Sequence, residues 1–293
     1  MSRSSSALPR ASRAGLALVA LVAVAAAATR ATIATAAESR PKPAPASITI
    51  VARDYAFDAP DTIAAGVTTI HLQNRGPELH HVSMFRLDGG HTLADMFAAL
   101  KVGGPPPAWV RAVGGPNAPV PGGESVATLA LVPGRYAITC MIPSKDGTPH
   151  VMKGMAREIV VKAPTTATLT PAAYAAPSNT ITLNDYRFDI AKPITAGTHT
   201  LRITNAAKQD HEIFIVKLAP GKTAMQMAEW AEKQDGPPAG MPLGGTTGMA
   251  RGEWNDVTVA FEPGEYALLC FWPDVNDGKP HVAHGMVAQF TVR

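Results

Sequence analysis

Cysteine is nearly absent from this 293-residue chain, with only Cys140 and Cys270 present. No Cys-x-x-Cys-His haem-attachment motif, no glycine-rich nucleotide loop and no His-x-His pair occurs anywhere. These absences exclude a disulfide-dense scaffold, c-type haem attachment and common nucleotide folds. Helix-forming runs of Glu, Lys and Leu are also scarce, while 25 Gly and 26 Pro punctuate the chain. The composition therefore leans towards strands joined by turns. The longest apolar run, Gly15 to Ala28, is 14 residues, short of the roughly 20 that a spanning helix needs.

That run follows Arg3, Arg10 and Arg13 and leads into small residues at Ala34, Ala36 and Ala37. The pattern is that of a secretory signal peptide over residues 1–37, with an uncleaved N-terminal anchor as the alternative. A periplasmic or secreted location is expected, with no membrane span in the mature chain. Removing residues 1–37 takes away four arginines and no acid, so the formal charge falls from +3 to −1. The basic balance belongs to the leader, and no nucleic-acid partner is expected.

The remainder contains one unit twice. Asp54-Tyr55-Ala56-Phe57-Asp58 matches Asp185-Tyr186-Arg187-Phe188-Asp189, and Asn74 matches Asn205. Pro133-Gly134-Arg135-Tyr136 matches Pro263-Gly264-Glu265-Tyr266, and Gly154-Met155 matches Gly285-Met286. Residues 47–162 and 179–293 form the two expected domains, with linkers at 38–46 and 163–178. Alternating apolar residues, such as Ile70 and Leu72 or Leu201 and Ile203, predict half-buried strands. Thr92 to Leu100 and Thr223 to Lys233 read as short inserted helices, each followed by a Gly/Pro-rich loop, Gly103 to Gly123 and Gly236 to Gly252.

Each unit also carries one early His, a Cys ending the Pro-Gly-x-Tyr strand, a second His and a Met. These are His80, Cys140, His150 and Met155 in the first unit, and His211, Cys270, His281 and Met286 in the second. A soft thiolate, two imidazoles and a weak thioether suit a site that accepts both Cu(I) and Cu(II). Singly, such residues more often serve a core or a solvated turn; all four types in one order, twice, carry the metal reading. The matched positions of Cys140 and Cys270 in separate domains argue against a disulfide. His81 and His284 lie beside the shared set without belonging to it and are read as near-site surface groups, with His284 a substitute-ligand candidate.

The order Asn-x5-His, Pro-Gly-x-Tyr-x3-Cys, Pro-His-x4-Met resembles the cupredoxin family of blue copper proteins over nearly all of both units. The resemblance implies an all-β fold of two tandem Greek-key β-sandwiches, each with a short helical insertion. It also assigns metal-ligand roles to the eight residues above, with copper as cofactor. Nine residues separate Cys140 from His150 and ten separate Cys270 from His281, more than in small blue copper carriers and similar to copper nitrite reductases. The expected function is one-electron transfer with an exported partner such as a cytochrome or oxidoreductase. Copper buffering or delivery with a chaperone, or a non-catalytic binding module, are the alternatives. An oxidase or nitrite reductase is disfavoured because Thr139 and Leu269 stand where those enzymes place a histidine before the Cys.

Overall fold

The computed structural model describes residues 46–102, 105–163, 176–234 and 236–293. The expected signal peptide and most of the expected linkers lie outside the described residues. Among those described, no helix is long and apolar enough to cross a membrane.

The first half runs β1 (Ala46–Arg53), β2 (Ala56–Asp58), β3 (Thr62–Ala64), β4 (Gly66–Asn74), β5 (Ser83–Leu87), a helix (Leu93–Lys101), β6 (Val110–Gly114), β7 (Glu124–Leu131), β8 (Gly134–Thr139) and β9 (Ala156–Lys162). The second half repeats it, without a counterpart of β3, as β10 (Asn179–Asn184), β11 (Arg187–Ile190), β12 (Gly197–Asn205), β13 (His211–Leu218), a helix (Ala224–Lys233), β14 (Gly240–Met249), β15 (Trp254–Phe261), β16 (Gly264–Leu269) and β17 (Val287–Val292). In each half two sheets enclose one core. Ile70 and Leu72 of β4 pack on Leu129, Ile138 and Ile159, and Leu201 and Ile203 of β12 pack on Val257, Leu268 and Met249. The alternation follows from side chains pointing to opposite faces along a strand. Thr92 and Thr223 cap the two helices through reciprocal bonds with Asp95 and Gln226.

The Pro-Gly-x-Tyr motif anchors each strand that ends at a cysteine. The Tyr136 hydroxyl donates to Val132 O at 3.0 Å and accepts from Val132 N at 3.1 Å, and Tyr266 does the same with Glu262 at 2.8 and 2.9 Å. Both rings are fully buried, so β8 and β16 are pinned at their starts and deliver Cys140 and Cys270 just past their ends.

The Gly/Pro-rich segments after the helices correct one expectation. They contain strands β6 and β14, and through these segments the two halves join. One eight-stranded sheet has the order β11-β10-β12-β15-β7-β4-β1-β2, and one nine-stranded sheet the order β17-β16-β13-β14-β6-β5-β8-β9-β3. Ala127 of β7 pairs with Val257 of β15, and Pro116 bridges Thr246. Each of these pairs joins equivalent positions of the repeat, so an approximate two-fold axis passes through both sheets. Asn117 N donates to Gly245 O at 3.1 Å and Thr247 N donates to Gly115 O at 2.9 Å, a reciprocal pair about that axis. Gly115 and Gly245 have positive φ, and a Cβ there would lie 2.3 Å from Val82 O and 2.0 Å from Ile213 O. This clearance seats each segment on its own half, whereas Gly114 and Gly244, also at positive φ, let the halves approach, since a Cβ there would lie 2.3 Å from Asn255 Oδ1 and 2.6 Å from Ser125 Cβ of the opposite half.

Candidate metal centres

Asn74 and Asn205, fully buried at the ends of β4 and β12, set the loop that carries the first histidine. Asn74 Nδ2 donates to Glu78 O at 2.8 Å while its Oδ1 accepts from Gly76 N at 3.0 Å. Asn205 makes the same bonds with Gln209 O and Ala207 N, at 2.8 and 2.9 Å. The Asn-x5-His spacing thereby fixes where His80 and His211 emerge.

The long loops between Cys and His close as hairpins. His150 N donates to Ile142 O at 2.9 Å and Val151 N to Cys140 O at 2.8 Å; His281 N donates to Trp272 O at 2.9 Å and Val282 N to Cys270 O at 2.8 Å. The extra residues form the hairpin tip, so loop length does not separate the ligands. A single 3-10 turn (His150–Lys153 or His281–His284) ends at Gly154 or Gly285 in the left-handed conformation. Met155 N then donates to His150 O, and Cys140 N donates to Met155 O; Met286, His281 and Cys270 are stitched together in the same way.

Two buried clusters result, His80 with Cys140 and His150, and His211 with Cys270 and His281; in each, the ligand atoms lie within 4.8 Å of one another. Cys140 Sγ is 3.4 Å from His150 Nδ1, and His80 Nδ1 is 3.1 Å from His150 Nδ1. Cys270 Sγ is 3.4 Å from His281 Nδ1 and 3.8 Å from His211 Nδ1. Met155 and Met286 are fully buried in the same apolar clusters as their cysteines. Both cysteines are free and buried, as the repeat argument expects. Each half is a cupredoxin-like domain.

No family model matches the chain, and no curated protein sequence matches it. Among solved structures, dithionite-reduced auracyanin from Roseiflexus castenholzii is 26% identical over 39% of this chain and 94% of its own, with a TM-score of 0.30. The blue copper oxidase of Nitrosomonas europaea is 15% identical over 85% of this chain and 86% of its own, with a TM-score of 0.25. The copper-containing nitrite reductase of Thermus scotoductus is 13% identical over 85% of this chain and 62% of its own, with a TM-score of 0.24.

The donor chemistry of both cupredoxin-like clusters fits a soft metal ion. In the first, His80 Nε2 is 2.6 Å from Asp54 Oδ1 and His150 Nε2 is 2.8 Å from Glu78 Oε2. Imidazoles that donate Nε2–H to carboxylates keep Nδ1 as a lone pair. Two such lone pairs at 3.1 Å, beside a sulfur, form a site for a cation rather than a hydrogen bond. Burial holds the pKa of His80 and His150 below the usual range and that of His281 at about 4, so the rings are neutral, as ligation requires. Burial also pushes the Cys140 thiol up to about 12, and the Cys270 thiol upwards as well. A thiolate is favoured there only beside a positive charge.

Several contributors are invisible to a search for ligands. Asp54 and Asp185 belong to the repeated Asp-Tyr-x-Phe-Asp motif and face the first histidine of each site. Tyr55 and Tyr186 pack on His150 and His281 with centroids 4.9 and 5.5 Å apart. Gly76 leaves room for this arrangement, since a Cβ there would fall 2.6 Å from His80 Nε2. His81 is not a surface group. It is buried, and its Nε2 accepts from Met141 N at 2.9 Å. His284 is exposed and 3.2 Å from Asp277 rather than among the ligands.

Proposed function

We propose that this is an exported copper protein with two mononuclear type 1-like sites, which passes single electrons between redox partners. The observation that carries the reading is the convergence, in each half, of a buried thiol and two imidazole Nδ1 atoms whose Nε2 atoms face fixed oxygen acceptors. His80, Cys140 and His150 would hold one copper, and His211, Cys270 and His281 the other, with Met155 and Met286 as the thioether donors. Bound copper would supply a centre that alternates between two oxidation states within one ligand set. The chain's own part is to exclude water, keep the imidazoles neutral and hold each ring by its outer nitrogen, so that little moves when charge changes.

The carrier reading is favoured over an oxidase because Thr139 and Leu269 precede the cysteines. Among the described residues, the third group close enough to hold an ion is Asp274, Asp277 and His284, two of them exposed. Nitrite or phenol turnover by copper-loaded protein would reverse this preference. Exposed Met152, inside the turn between His150 and Met155, favours copper buffering as the second reading; rapid release of copper to a chelator would select it.

The decisive experiment is metal analysis with visible spectra of the wild type, Cys140→Ser and Cys270→Ser. The wild type should show an intense thiolate-to-copper band, and each variant should lose its own part of that band and its own copper. A colourless, copper-free wild type after reconstitution would overturn the proposal.

A further inference from the structure

All four ligand imidazoles are fully buried, and each turns its Nε2 to an acceptor oxygen. The bonded contacts that leave the thiols lead elsewhere. Glu212 N donates to Cys270 Sγ at 3.4 Å, and the Glu212 carboxylate accepts from Phe271 N at 2.9 Å. His81 occupies the equivalent position beside its own cysteine and accepts from the next residue's backbone, Met141 N, at 2.9 Å. An imidazole and a carboxylate thus accept the backbone N–H that follows each cysteine.

The two latches meet at the approximate two-fold axis. His81 is tied to Asn117 through the adjoining backbone, where Val82 N donates to Pro116 O at 3.0 Å, and buried Asn117 points Nδ2 at Glu212 Oε2, 3.5 Å away, and at Ile213 O, 3.3 Å away. The loop residues two places beyond each cysteine also reach across the junction. Ile142 packs with Phe214 and Met227 of the second half, and Trp272 lies 6.2 Å from the Phe85 ring of the first.

We infer that His81, Asn117 and Glu212 form a buried relay that couples the two metal sites electronically, so that an electron received by one half is shared with the other inside the molecule. The inference rests on the proposed copper reading. In the step, one site passes from Cu(I) to Cu(II) as the other passes from Cu(II) to Cu(I), with no proton or atom transferred. The residues of the relay keep their protons and supply a continuous path of covalent and hydrogen bonds from sulfur to sulfur, across an interface whose strands hold that path rigid.

The test is pulsed reduction of fully copper-loaded protein by less than one electron per molecule, followed by freeze-quench EPR. The spectra of Cys140→Ser and Cys270→Ser identify which signal belongs to which site. Wild type should show a redistribution phase that is first order and independent of protein concentration. Asn117→Val should slow that phase by about tenfold or more, the scale on which the partners of ligand side chains act, with both spectra and both potentials unchanged. His81→Gln, which retains an acceptor for Met141 N, should keep the phase close to wild type. In metal-free protein, Asn117→Val should also speed amide exchange at both Met141 and Phe271, one in each half. Should Asn117→Val not fold, Glu212→Met breaks the same path on the other side. Redistribution that scales with protein concentration, or that is unchanged in the folded variant, overturns the inference. A wild type without the thiolate band would remove the copper reading as well, whereas a band without the first-order phase removes the relay alone.

Discussion

The two centres share their ligand types but not their surroundings. In the first half both imidazoles meet carboxylates, Asp54 at 2.6 Å and Glu78 at 2.8 Å. In the second, Asp185 stands back at 3.4 Å, and a neutral amide, Gln209, replaces Glu78 at 3.3 Å from His281 Nε2, with Asp274 at 3.7 Å. Carboxylates hydrogen-bonded to ligating imidazoles raise their basicity and favour the higher charge on the metal. Duplication has therefore kept the donor set while leaving the outer oxygens free to diverge, and the first site should have the lower reduction potential.

The largest effect expected on this comparison comes from removing one half's thiol. Cys140→Ser should abolish copper uptake at the first site and leave the second site's band intact, and Cys270→Ser the converse; copper stoichiometry reads the outcome. Loss of both bands in either single variant would mean that the halves do not bind independently.

Exchanging the outer partner should be next in size. Glu78→Gln should raise the potential of the first site towards that of the second and weaken its copper affinity by about tenfold to a hundredfold. Gln209→Glu should lower the second potential. A redox titration with resolved steps reads both, and steps that do not move would exclude these oxygens as the source of the asymmetry.

Much of this was legible in sequence, for identifiable reasons. The residues of the two buried His/Cys/His clusters, the Pro-Gly-Tyr anchors and the two capped helices are local signals, repeated at nearly constant spacing. Strands β6 and β14 were hidden because the Gly114-Gly115 and Gly244-Gly245 pairs and the prolines around them read as loop, and because burial against the other half removes the two-residue alternation. His81 reads as a surface group because it matches Glu212, an acid; their common role rests on accepting a backbone N–H, which either side chain does. Glu78 and Gln209 sit two positions before the first histidine in both halves, a signal whose geometric reason lies in the loop's hydrogen bonds to Asn74 and Asn205. The junction itself has no sequence signature, since the side chains that cross it, such as Arg111 to Glu253 and Asn255 to Gly115 N, are far apart in the chain and outside the repeated motifs.

That junction can be broken directly. Ala at Gly244 would set a methyl 2.6 Å from Ser125 Cβ of the first half at positive φ, so Gly244→Ala should destabilise the protein by at least about 2 kcal/mol. Chemical denaturation should show the loss, and both metal sites should weaken together because both lie against the shared strands. Wild-type stability in Gly244→Ala would show that the interface tolerates separation.

The smallest expected effect distinguishes the two helices. The first packs within its own half, through Met96, Phe97 and Leu93 on Leu87 and Ala137. The second packs through Met227 and Ala228 in a cluster that includes Leu79 and Ile142 of the first half, and Gln234 at its end donates to Pro143 O at 2.7 Å. Removing either cap, Thr92→Ala or Thr223→Ala, should cost about 1 kcal/mol of stability. The consequences should differ, because Leu79 precedes His80 and Ile142 opens the loop that returns to His150. Thr223→Ala should therefore increase amide exchange around the first metal site, in the opposite half from the mutation, while Thr92→Ala should leave both sites unchanged. Equal and purely local effects in the two variants would mean that the second helix supports only its own domain.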